Sequence, residues 1–579
     1  MATAAAAPSW PAMSIARAHE LLTAPGAPFE MEEVVIRGIP TRTWKNAPPS
    51  LRACFLAGRM HGDRTFLVYE NDRATCESFA RATIALAHRL RADGVEKGDR
   101  VAVVMRNLPE WPVAFYAGAI LGAIVTPLNA WWTGEELEYG LTDSGAKVLI
   151  VDAERLARLH EHLGNCPDLQ HIYVARAADE IAHPKIARLE SVIGPVNDWM
   201  SLPDAPLPDA EIAPEDDATI FYTSGTTGKP KGALGTNRNI VSNIMASGIS
   251  GARSFLRRGE MPPVPDPTAP QKATLLSVPF FHATGCHAVM NPSLVAGAKL
   301  VLMRKFEAEE AMRLIEAEKV TGAGGVPTIA WQLLEHPNRH KYDLSSLETV
   351  SYGGAPSAPE LVRRIRETWP KSWPGNGWGM TETSATFTHH MAEDYMARPD
   401  SCGPAVPVCD LKVVDPATGE ELPVGSVGEL WGKGPNVVKG YWRKPEASAE
   451  TFVDGWVKTG DLARLDEEGF CFIIDRAKDM LIRGGENIYC IEVENCLYDH
   501  PAVMDAAVVG IPHKTLGEEP GAIVTLKPDT TATEDELRAH VAAHLAAFKV
   551  PVRVLIQHET LPRNANGKIM KRDLKGLFA

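Results

Sequence analysis

Apolar runs of strand length alternate with longer stretches of helical periodicity through most of this chain. From residue 76 onward, Phe79, Thr83 and Leu86 share one helical face. Val101–Met105 follows as an apolar run of strand length, and the alternation then continues. Strands that alternate with helices predict parallel sheets whose two faces are both covered. We therefore expect an α/β fold with a large N-terminal domain of several subdomains, in which parallel-rich sheets are flanked by helices.

The last hundred residues show a different pattern. Ala506–Val509 and Ala522–Leu526 are short strand candidates, and Thr533 with Glu536 forms a capping-box signature. The pattern predicts a helix that carries Leu537, Val541, Leu545 and Phe548 on one face and ends before Pro551, with a further strand at 552–557. This segment is expected to be a small α+β domain. The predicted division is a disordered tail over 1–25, a large domain over 26–477 and a small domain over 478–579.

The composition excludes some classes of protein. The formal net charge is −14 over 579 residues, which argues against a nucleic-acid partner because phosphate binding needs an excess of Lys and Arg. The nine cysteines are dispersed without C-x-x-C spacing, which favours reduced thiols in an intracellular, cytoplasmic protein.

The uncharged segment 111–132 is long enough to span a bilayer. Pro112, Pro127 and Asn129 interrupt it, so a buried helix followed by a buried strand is the preferred interpretation and no transmembrane segment is expected. A peripheral membrane contact and a homo-oligomer both stay open.

A loop dense in glycine, hydroxyl and lysine residues follows the apolar run 218–222. Its glycines allow a close backbone approach to a ligand, and its hydroxyls and lysines can donate to phosphate oxygens. A Walker A loop is excluded, because Thr223 stands where the first glycine is needed and Pro230 where Ser or Thr would meet magnesium. The nucleotide-binding candidates here are Thr223, Ser224, Gly225, Thr226, Thr227, Gly228 and Lys231.

Further motifs follow this loop in order along the chain. They are Pro279-Phe-Phe-His-Ala-Thr-Gly285, Gly353-Gly-Ala-Pro356, Asn376-Gly-Trp-Gly-Met-Thr-Glu382, Gly428–Leu430 through Gly440-Tyr441, Thr459-Gly-Asp461, Asp475–Asp479, Gly484–Ile488 and Pro562–Lys568. Together with the loop at 222–232, the series resembles the adenylate-forming superfamily of acyl-CoA synthetases, luciferases and peptide-synthetase adenylation domains. The resemblance implies that 26–477 is an adenylation domain and that 478–579 is mobile and carries a catalytic lysine.

The resemblance also implies a role for each matching residue. Lys568, Thr381 and Glu382 would be catalytic, with Glu382 also holding Mg²⁺. ATP would further be bound by Gly354, Ala355, Pro356, Asn376, Gly377, Trp378, Asp461 and Arg476. The acid pocket would contain His282, Gly325, Val326, Gly379 and Met380, and Lys478, Gly484 and Gly485 would serve the hinge and the route of coenzyme A. A carboxylate attacking a phosphate brings two anions together, so positioned positive charge must supply the catalysis.

Three positions depart from the family pattern. Asn237 stands in place of a histidine, Trp378 in place of a tyrosine and Cys490 in place of a proline. None of them removes a group that the chemistry requires, and the implied adenylation is therefore kept.

The implied reaction joins a carboxylic acid to coenzyme A at the expense of ATP, with release of AMP and pyrophosphate. A medium- or long-chain fatty acid is the preferred substrate, because Asn129–Gly134 and its surroundings look most like fatty-acid–CoA ligases. An aryl acid related to benzoate or cinnamate is the alternative. A luciferase-type oxygenase would share the adenylation step and ranks lower. A non-catalytic acyl-nucleotide-binding protein also ranks lower, since Lys568, Glu382 and Asp461 are all retained.

Overall fold

The computed structural model describes residues 10–178, 183–223, 229–264, 266, 268–354, 357, 359–484, 486–564 and 567–578. The helices in this part of the chain are α1 (Ile15–Thr23), α2 (Leu51–Arg59), α3 (Cys76–Ala92), α4 (Glu110–Ala119), α5 (Gly134–Ser144), α6 (Ala153–Leu159), α7 (Glu190–Ile193), α8 (Asn237–Arg257), α9 (Asn291–Val295), α10 (Ala308–Glu318), α11 (Pro327–Leu334), α12 (Pro359–Thr368), α13 (Ala392–Ala397), α14 (Pro445–Thr451), α15 (Cys490–Tyr498), α16 (Glu534–His544) and α17 (Lys571–Lys575).

The strands in the same ranges are β1 (Met31–Ile36), β2 (Ile39–Trp44), β3 (Thr65–Tyr69), β4 (Asp72–Thr75), β5 (Arg100–Val104), β6 (Ile124–Pro127), β7 (Val148–Asp152), β8 (His171–Ala175), β9 (Ile186–Arg188), β10 (Asp217–Tyr222), β11 (Gly232–Thr236), β12 (Ala273–Leu276), β13 (Lys299–Leu302), β14 (Gly322–Gly325), β15 (Thr349–Gly353), β16 (Trp373–Met380), β17 (Ala385–Met391), β18 (Gly403–Pro404), β19 (Asp410–Val414), β20 (Gly428–Lys433), β21 (Gly440–Tyr441), β22 (Phe452–Val453), β23 (Trp456–Leu465), β24 (Phe470–Arg476), β25 (Leu481–Arg483), β26 (Glu486–Ile488), β27 (Val503–His513), β28 (Gly517–Leu526) and β29 (Arg553–Gln557).

Two sheets of mainly parallel strands form the large domain. In the described residues one sheet has the order β21-β11-β10-β6-β5-β7-β8-β9 and the other β17-β16-β15-β14-β12-β13-β3-β4. Both are parallel through their central strands and antiparallel at an edge. The prediction of a large α/β domain with parallel-rich sheets is confirmed.

The described residues contain three further sheets, of which β1 and β2 form a two-stranded antiparallel one. Within the described ranges, β18-β24-β23-β20-β19 form an antiparallel sheet, with β22 paired to β23. The small domain has the sheet β26-β25-β28-β27, and β29 lies parallel to β28. The last strand of the large domain, β24, ends at Arg476, and the first strand of the small domain, β25, begins at Leu481. The predicted boundary at 477/478 lies between them. That this point is a hinge stays a prediction.

The uncharged segment 111–132 lies in the interior of the large domain. Every residue of α4 is buried, and β6 follows it. The ring of Trp111 stacks on Phe115 and Phe280, with centroid distances of 5.5 and 5.0 Å. Among the described residues no helix combines the length and apolar character needed to cross a bilayer.

The prediction of a disordered tail over 1–25 is wrong for residues 15–23. They form α1, whose first turn is capped by the Ser14 hydroxyl. Ala18 and Leu22 are buried against α8, beside Ala246 and Ile249. This helix could not be predicted from the alanine- and proline-rich start of the chain, because the residues that it packs on lie more than two hundred positions away.

The small domain follows its predicted pattern with one correction. Thr533 and Glu536 form the predicted capping box at the start of α16. The helix ends at His544, so Leu545 and Phe548 lie beyond it, although both still pack against the core of this domain.

Candidate active site

A single cavity of about 2420 Å³ connects the two domains at the carboxyl ends of parallel strands. Tyr222, Gly325 and Gly353 mark the ends of β10, β14 and β15 at its wall. Ligands of open α/β sheets bind at this edge, because the loops that follow the strands converge there. The small domain contributes the opposite wall through Lys568 and its neighbours.

An acidic corner of the cavity is formed by Asp461, which is 3% exposed. The side chains of Arg476 and Trp378 hold its two oxygens from either side: the Arg476 Nε lies 2.6 Å from Oδ1, and Trp378 Nε1 donates to Oδ2 at 2.9 Å. Asp461 and Arg476 face each other on β23 and β24, so the sheet register itself brings the pair together. A carboxylate fixed in this way can accept hydrogen bonds from a sugar diol.

A second carboxylate, Glu382, lies in the turn that follows β16. It is 7% exposed, and its Oε1 accepts a hydrogen bond from the Tyr441 hydroxyl at 2.7 Å. Burial raises the pKa of this carboxyl, while the Tyr441 bond and the positive charges of Arg476 and Lys231 act in the opposite direction. Since carboxylate oxygens are the protein ligands that Mg²⁺ prefers, the site fits a magnesium–phosphate group.

Close backbone packing sets the geometry of this turn. A Cβ at Gly379 would lie 1.5 Å from the carbonyl oxygen of Ala385, and no larger residue fits there. Ser384 and Ala385 adopt φ of 53° and 87°, so the chain doubles back sharply after Glu382. Strain of this kind persists where the surrounding structure fixes it, which is common at functional sites.

The glycine-rich loop leaves β10 and returns at β11. At its base, the Thr223 N–H donates to the Lys231 carbonyl at 2.9 Å, and the Lys231 N–H donates to the Thr223 hydroxyl at 3.3 Å. Tyr139 donates to the Pro230 carbonyl at 2.8 Å. Thr223 and Lys231 line the cavity; the other predicted residues of this loop, Ser224, Gly225, Thr226, Thr227 and Gly228, lie outside the described residues.

Lys568 reaches the cavity from the small domain. Its N–H donates to the Asn564 Oδ1 at 3.0 Å, which fixes the turn that carries it. Burial, followed by the nearby Arg476 guanidinium, lowers the pKa of Lys568 to about 8. A Cβ at Gly567 would lie 2.7 Å from Val326, so this turn lies directly against the wall of the large domain.

The predicted acid pocket lines the same cavity. His282, Gly325, Val326, Gly379 and Met380 all contribute to its wall. His282 Nε2 is shielded from solvent and has no hydrogen-bond partner among the described residues. Burial lowers the pKa of His282 to about 3, so the ring is neutral and suits a wall better than a proton carrier.

The remaining nucleotide candidates follow β15 and β16. Gly354, Asn376 and Gly377 line the cavity, and the Asn376 amide donates to the Ser401 carbonyl at 3.2 Å. Gly354 has a φ of +74°, which a glycine adopts without strain. Ala355 and Pro356 lie outside the described residues.

The hinge and coenzyme A candidates divide into two groups. Lys478 lines the cavity, as does the catalytic candidate Thr381, whereas Gly484 does not. Gly484 is exposed, with its N–H donating to the Leu516 carbonyl at 2.8 Å. Gly485 lies outside the described residues.

Sequence reasoning missed the role of Tyr441. Its motif was recognised, but its contact with Glu382 joins positions 59 residues apart and has no local signal. Lys229 also lines the cavity, with its Nζ 4.9 Å from the centre of the Tyr139 ring. Because Lys229 belongs to the phosphate-compatible loop, the loop pattern could have included it.

Models of known protein families match both domains of the chain. A model of the AMP-binding enzyme family matches residues 55–442, and one of the AMP-binding enzyme C-terminal domain matches 492–568. A long-chain-fatty-acid–CoA ligase of Bacillus subtilis (strain 168) is 33% identical over 537 residues, covering 88% of this chain and 91% of that protein. A feruloyl-CoA synthase of an Amycolatopsis species is 34% identical over 524 residues, covering 90% and 97%.

A solved structure extends the similarity to three dimensions. The crystal structure of an anthranilate CoA ligase in complex with anthranoyl-AMP matches with a TM-score of 0.79 at 26% identity, covering 91% of this chain and 97% of the other. The chain therefore belongs to the AMP-binding enzymes, the adenylate-forming superfamily. It is an adenylate-forming acid–CoA ligase whose substrates are a carboxylic acid, ATP and coenzyme A.

Proposed function

We propose that the described cavity carries out both half-reactions of this ligase. In the first, the acid carboxylate attacks the α-phosphorus of ATP, and the bond to pyrophosphate breaks, giving an acyl-adenylate. In the second, the sulfur of coenzyme A attacks the acyl carbon, AMP leaves, and the thiol proton passes to solvent. The observation that carries this proposal is that Lys568, from the small domain, shares one cavity with the Asp461–Arg476 pair and Glu382 from the large domain.

Each charged group has a task in the first half-reaction. Lys568 would lie between the carboxylate and the α-phosphate and offset the charge that develops there. Glu382 would hold Mg²⁺ bound to the phosphates, and Thr381 would donate to the α-phosphate. Asp461 would accept from the ribose hydroxyls, with Trp378 and Arg476 fixing its two oxygens; Trp378 could also contact the adenine face.

The second half-reaction needs a different arrangement of the small domain. The turn that carries Lys568 lies against the large domain, since a Cβ at Gly567 would be 2.7 Å from Val326. Rotation about Lys478, in the connection between β24 and β25, would withdraw this lysine and bring Gly484 and Gly485 to the pantetheine route. A hinge of a few residues can absorb such a change in few torsions.

A medium- or long-chain fatty acid is our first candidate for the acid. The wall of the cavity includes the apolar residues Val278, Val289 and Trp331. Such a wall favours an alkyl chain through burial of apolar surface, at about 0.8 kcal/mol per CH₂. The long-chain ligase among the relatives supports this choice.

An aryl acid is the second candidate, and a specific feature favours it. Gly322, Gly324 and Gly325 of β14 line the cavity, so this part of its wall is backbone, against which a flat ring could pack. Ser277 and Gln332 also line the cavity and could bind ring hydroxyls. The feruloyl-CoA synthase among the relatives supports this alternative.

The test is a pyrophosphate-release screen of the purified full chain with ATP, Mg²⁺ and coenzyme A. The panel contains saturated acids from C6 to C18, benzoates and hydroxycinnamates, with mass detection of each acyl-CoA. Fatty-acid use predicts kcat/KM rising with chain length, whereas aryl use predicts hydroxycinnamates far above every alkanoate. Release of pyrophosphate without any acyl-CoA would contradict the second half-reaction.

A further inference from the structure

A cluster of cysteine and histidine side chains lies in the small domain, outside the nucleotide cavity. Potential ligand atoms of Cys496 on α15 and of His540 and His544 on α16 all lie within 4.8 Å of one another. His540 and His544 are spaced i, i+4, which places both rings on one face of the helix. None of the three residues lines the cavity described above.

The hydrogen bonds of the two histidines orient them as metal ligands are oriented. His540 Nε2 lies 2.9 Å from the Cys496 carbonyl oxygen, and His544 Nδ1 lies 2.8 Å from the His540 carbonyl oxygen. A ring nitrogen that faces a carbonyl must carry the proton, so the lone pair stays on Nδ1 of His540 and on Nε2 of His544. Histidine ligands of metals typically donate their other N–H to a backbone carbonyl in this way.

The surroundings of the cluster favour a cation. Asp499 and His500 directly follow α15, and the His500 ring lies 5.2 Å from that of His540. The Asp499 carboxylate lies within electrostatic range of both His540 and His544, and Glu360 on α12 of the large domain acts on the same carboxylate. A divalent cation beside two such carboxylates offsets the repulsion between their negative charges.

We propose that Cys496, His540 and His544 form a binding site for a thiolate-preferring divalent transition metal of the Zn²⁺ class. One thiolate and two imidazoles are a ligand set that zinc accepts, with a fourth position left for water. Metal binding displaces the thiol proton of Cys496 to solvent, so the bond that forms is metal–sulfur and the bond that breaks is S–H.

The site would also connect the two helices that form one face of the small domain. Cys496 is buried, whereas His544 is exposed, so the metal would enter from the solvent side and meet the sulfur at the inner end. The expected consequence is a small domain that resists unfolding better with metal than without it, since a ligand that binds only the folded state stabilises it.

Titration of the metal-free full chain with Co²⁺ tests the proposal, because Co²⁺ reports thiolate ligation by an intense near-ultraviolet charge-transfer band. We expect about one equivalent to bind with this band, as one site of this ligand set requires. In His544→Ala the affinity should fall at least about tenfold, and in Cys496→Ser the band should disappear. Zn²⁺ should displace Co²⁺ from the parent protein.

Two controls keep the result interpretable. His558→Ala removes an exposed histidine of the same domain outside the cluster and should bind Co²⁺ as the parent does. The rate of AMP formation without added transition metal should be unchanged in His544→Ala, which shows that this variant is folded. Absence of the thiolate band, its persistence in Cys496→Ser, or parental affinity in His544→Ala would overturn the proposal.

Discussion

The two walls of the nucleotide cavity are built in different ways. On the large-domain wall, Asp461 is held by two partners and Glu382 by Tyr441, and both carboxylates are buried. On the small-domain wall, Lys568 extends from a turn that is fixed within its own domain by Asn564. The first wall is preorganised, whereas the second depends on how the small domain is placed. We infer that the fixed wall binds the nucleotide in both half-reactions and that the movable wall decides which half-reaction takes place.

Removing the movable charge should give the largest effect. In Lys568→Ala, acyl-adenylate formation should fall about 10²–10³-fold, because a preorganised charge at the reacting centre is lost. Thioester formation from supplied acyl-adenylate should stay close to the parental rate. Single-turnover assays of each half-reaction measure both.

Lys514→Ala is the matched control, since Lys514 is an exposed lysine of the same domain. An equal loss of both half-reactions in Lys568→Ala would contradict the proposal that Lys568 acts in adenylation but not in thioester formation.

A change on the fixed wall should affect the metal. Glu382→Gln should lower adenylation about 10²-fold and raise the Mg²⁺ concentration needed for half-maximal rate, because an amide is a weaker magnesium ligand than a carboxylate. Tyr441→Phe should show the same trend at about tenfold, since it removes one hydrogen bond to a charged group. Magnesium titrations of both variants check this order, and an unchanged magnesium requirement in Glu382→Gln would count against a metal there.

Restricting the connection between the domains should affect only the second step. Lys478→Pro should slow thioester formation about 10–100-fold while adenylation is nearly preserved, because proline fixes one torsion of the proposed hinge. Lys478→Ala keeps the backbone free and serves as the control. Stopped-flow measurement of AMP release after addition of coenzyme A distinguishes the two variants. Equal rates of AMP release in both would contradict a hinge at position 478.

The pKa of Lys568, lowered to about 8, predicts a pH dependence of the first step. The free enzyme loses this positive charge as the pH rises through that value, so kcat/KM for adenylation should fall above about pH 8, by about tenfold per unit. Lys568→Arg keeps its charge throughout this range, and its residual activity should show no decline there. A decline of the same shape in both proteins would assign the titration to another group.

The smallest effect is expected for the indole at position 378. Trp378→Phe keeps an aromatic ring beside Phe387 but removes the N–H that binds Asp461. Since Arg476 still holds the other oxygen, the KM for ATP should rise only about three- to tenfold, as for one hydrogen bond to a charged group. A KM equal to that of the parent protein would show that the Trp378 bond has no part in nucleotide binding.

Local motifs were sufficient to predict most of the site but not its internal contacts. Thr223, Lys231, Asp461 and Lys568 could be named from their motifs, and each lines the cavity. The bonds from Trp378 to Asp461 and from Tyr441 to Glu382 span 83 and 59 residues. They arise from strand register and sheet packing, which a single sequence does not display.

Two departures from the family pattern acquire a physical meaning only in the structure. Trp378 supplies a donor to Asp461 through its indole nitrogen. Cys490, where the family has proline, donates its backbone N–H to Asp475 at 2.5 Å, which a proline could not do. Asn237 lies away from the cavity, where its side chain accepts from the Leu51 N–H at 2.9 Å.

The nucleotide product tests the account most directly. The purified chain is incubated with ATP, Mg²⁺ and the acid panel in the absence of coenzyme A, and the nucleotides are separated by chromatography. A cavity that directs a carboxylate to the α-phosphorus predicts acid-dependent acyl-adenylate and the AMP formed from it by hydrolysis, whose sum equals the pyrophosphate released. All of these products should be nearly absent in Lys568→Ala. Formation of ADP instead, or neither acyl-adenylate nor AMP with any acid, would contradict the account.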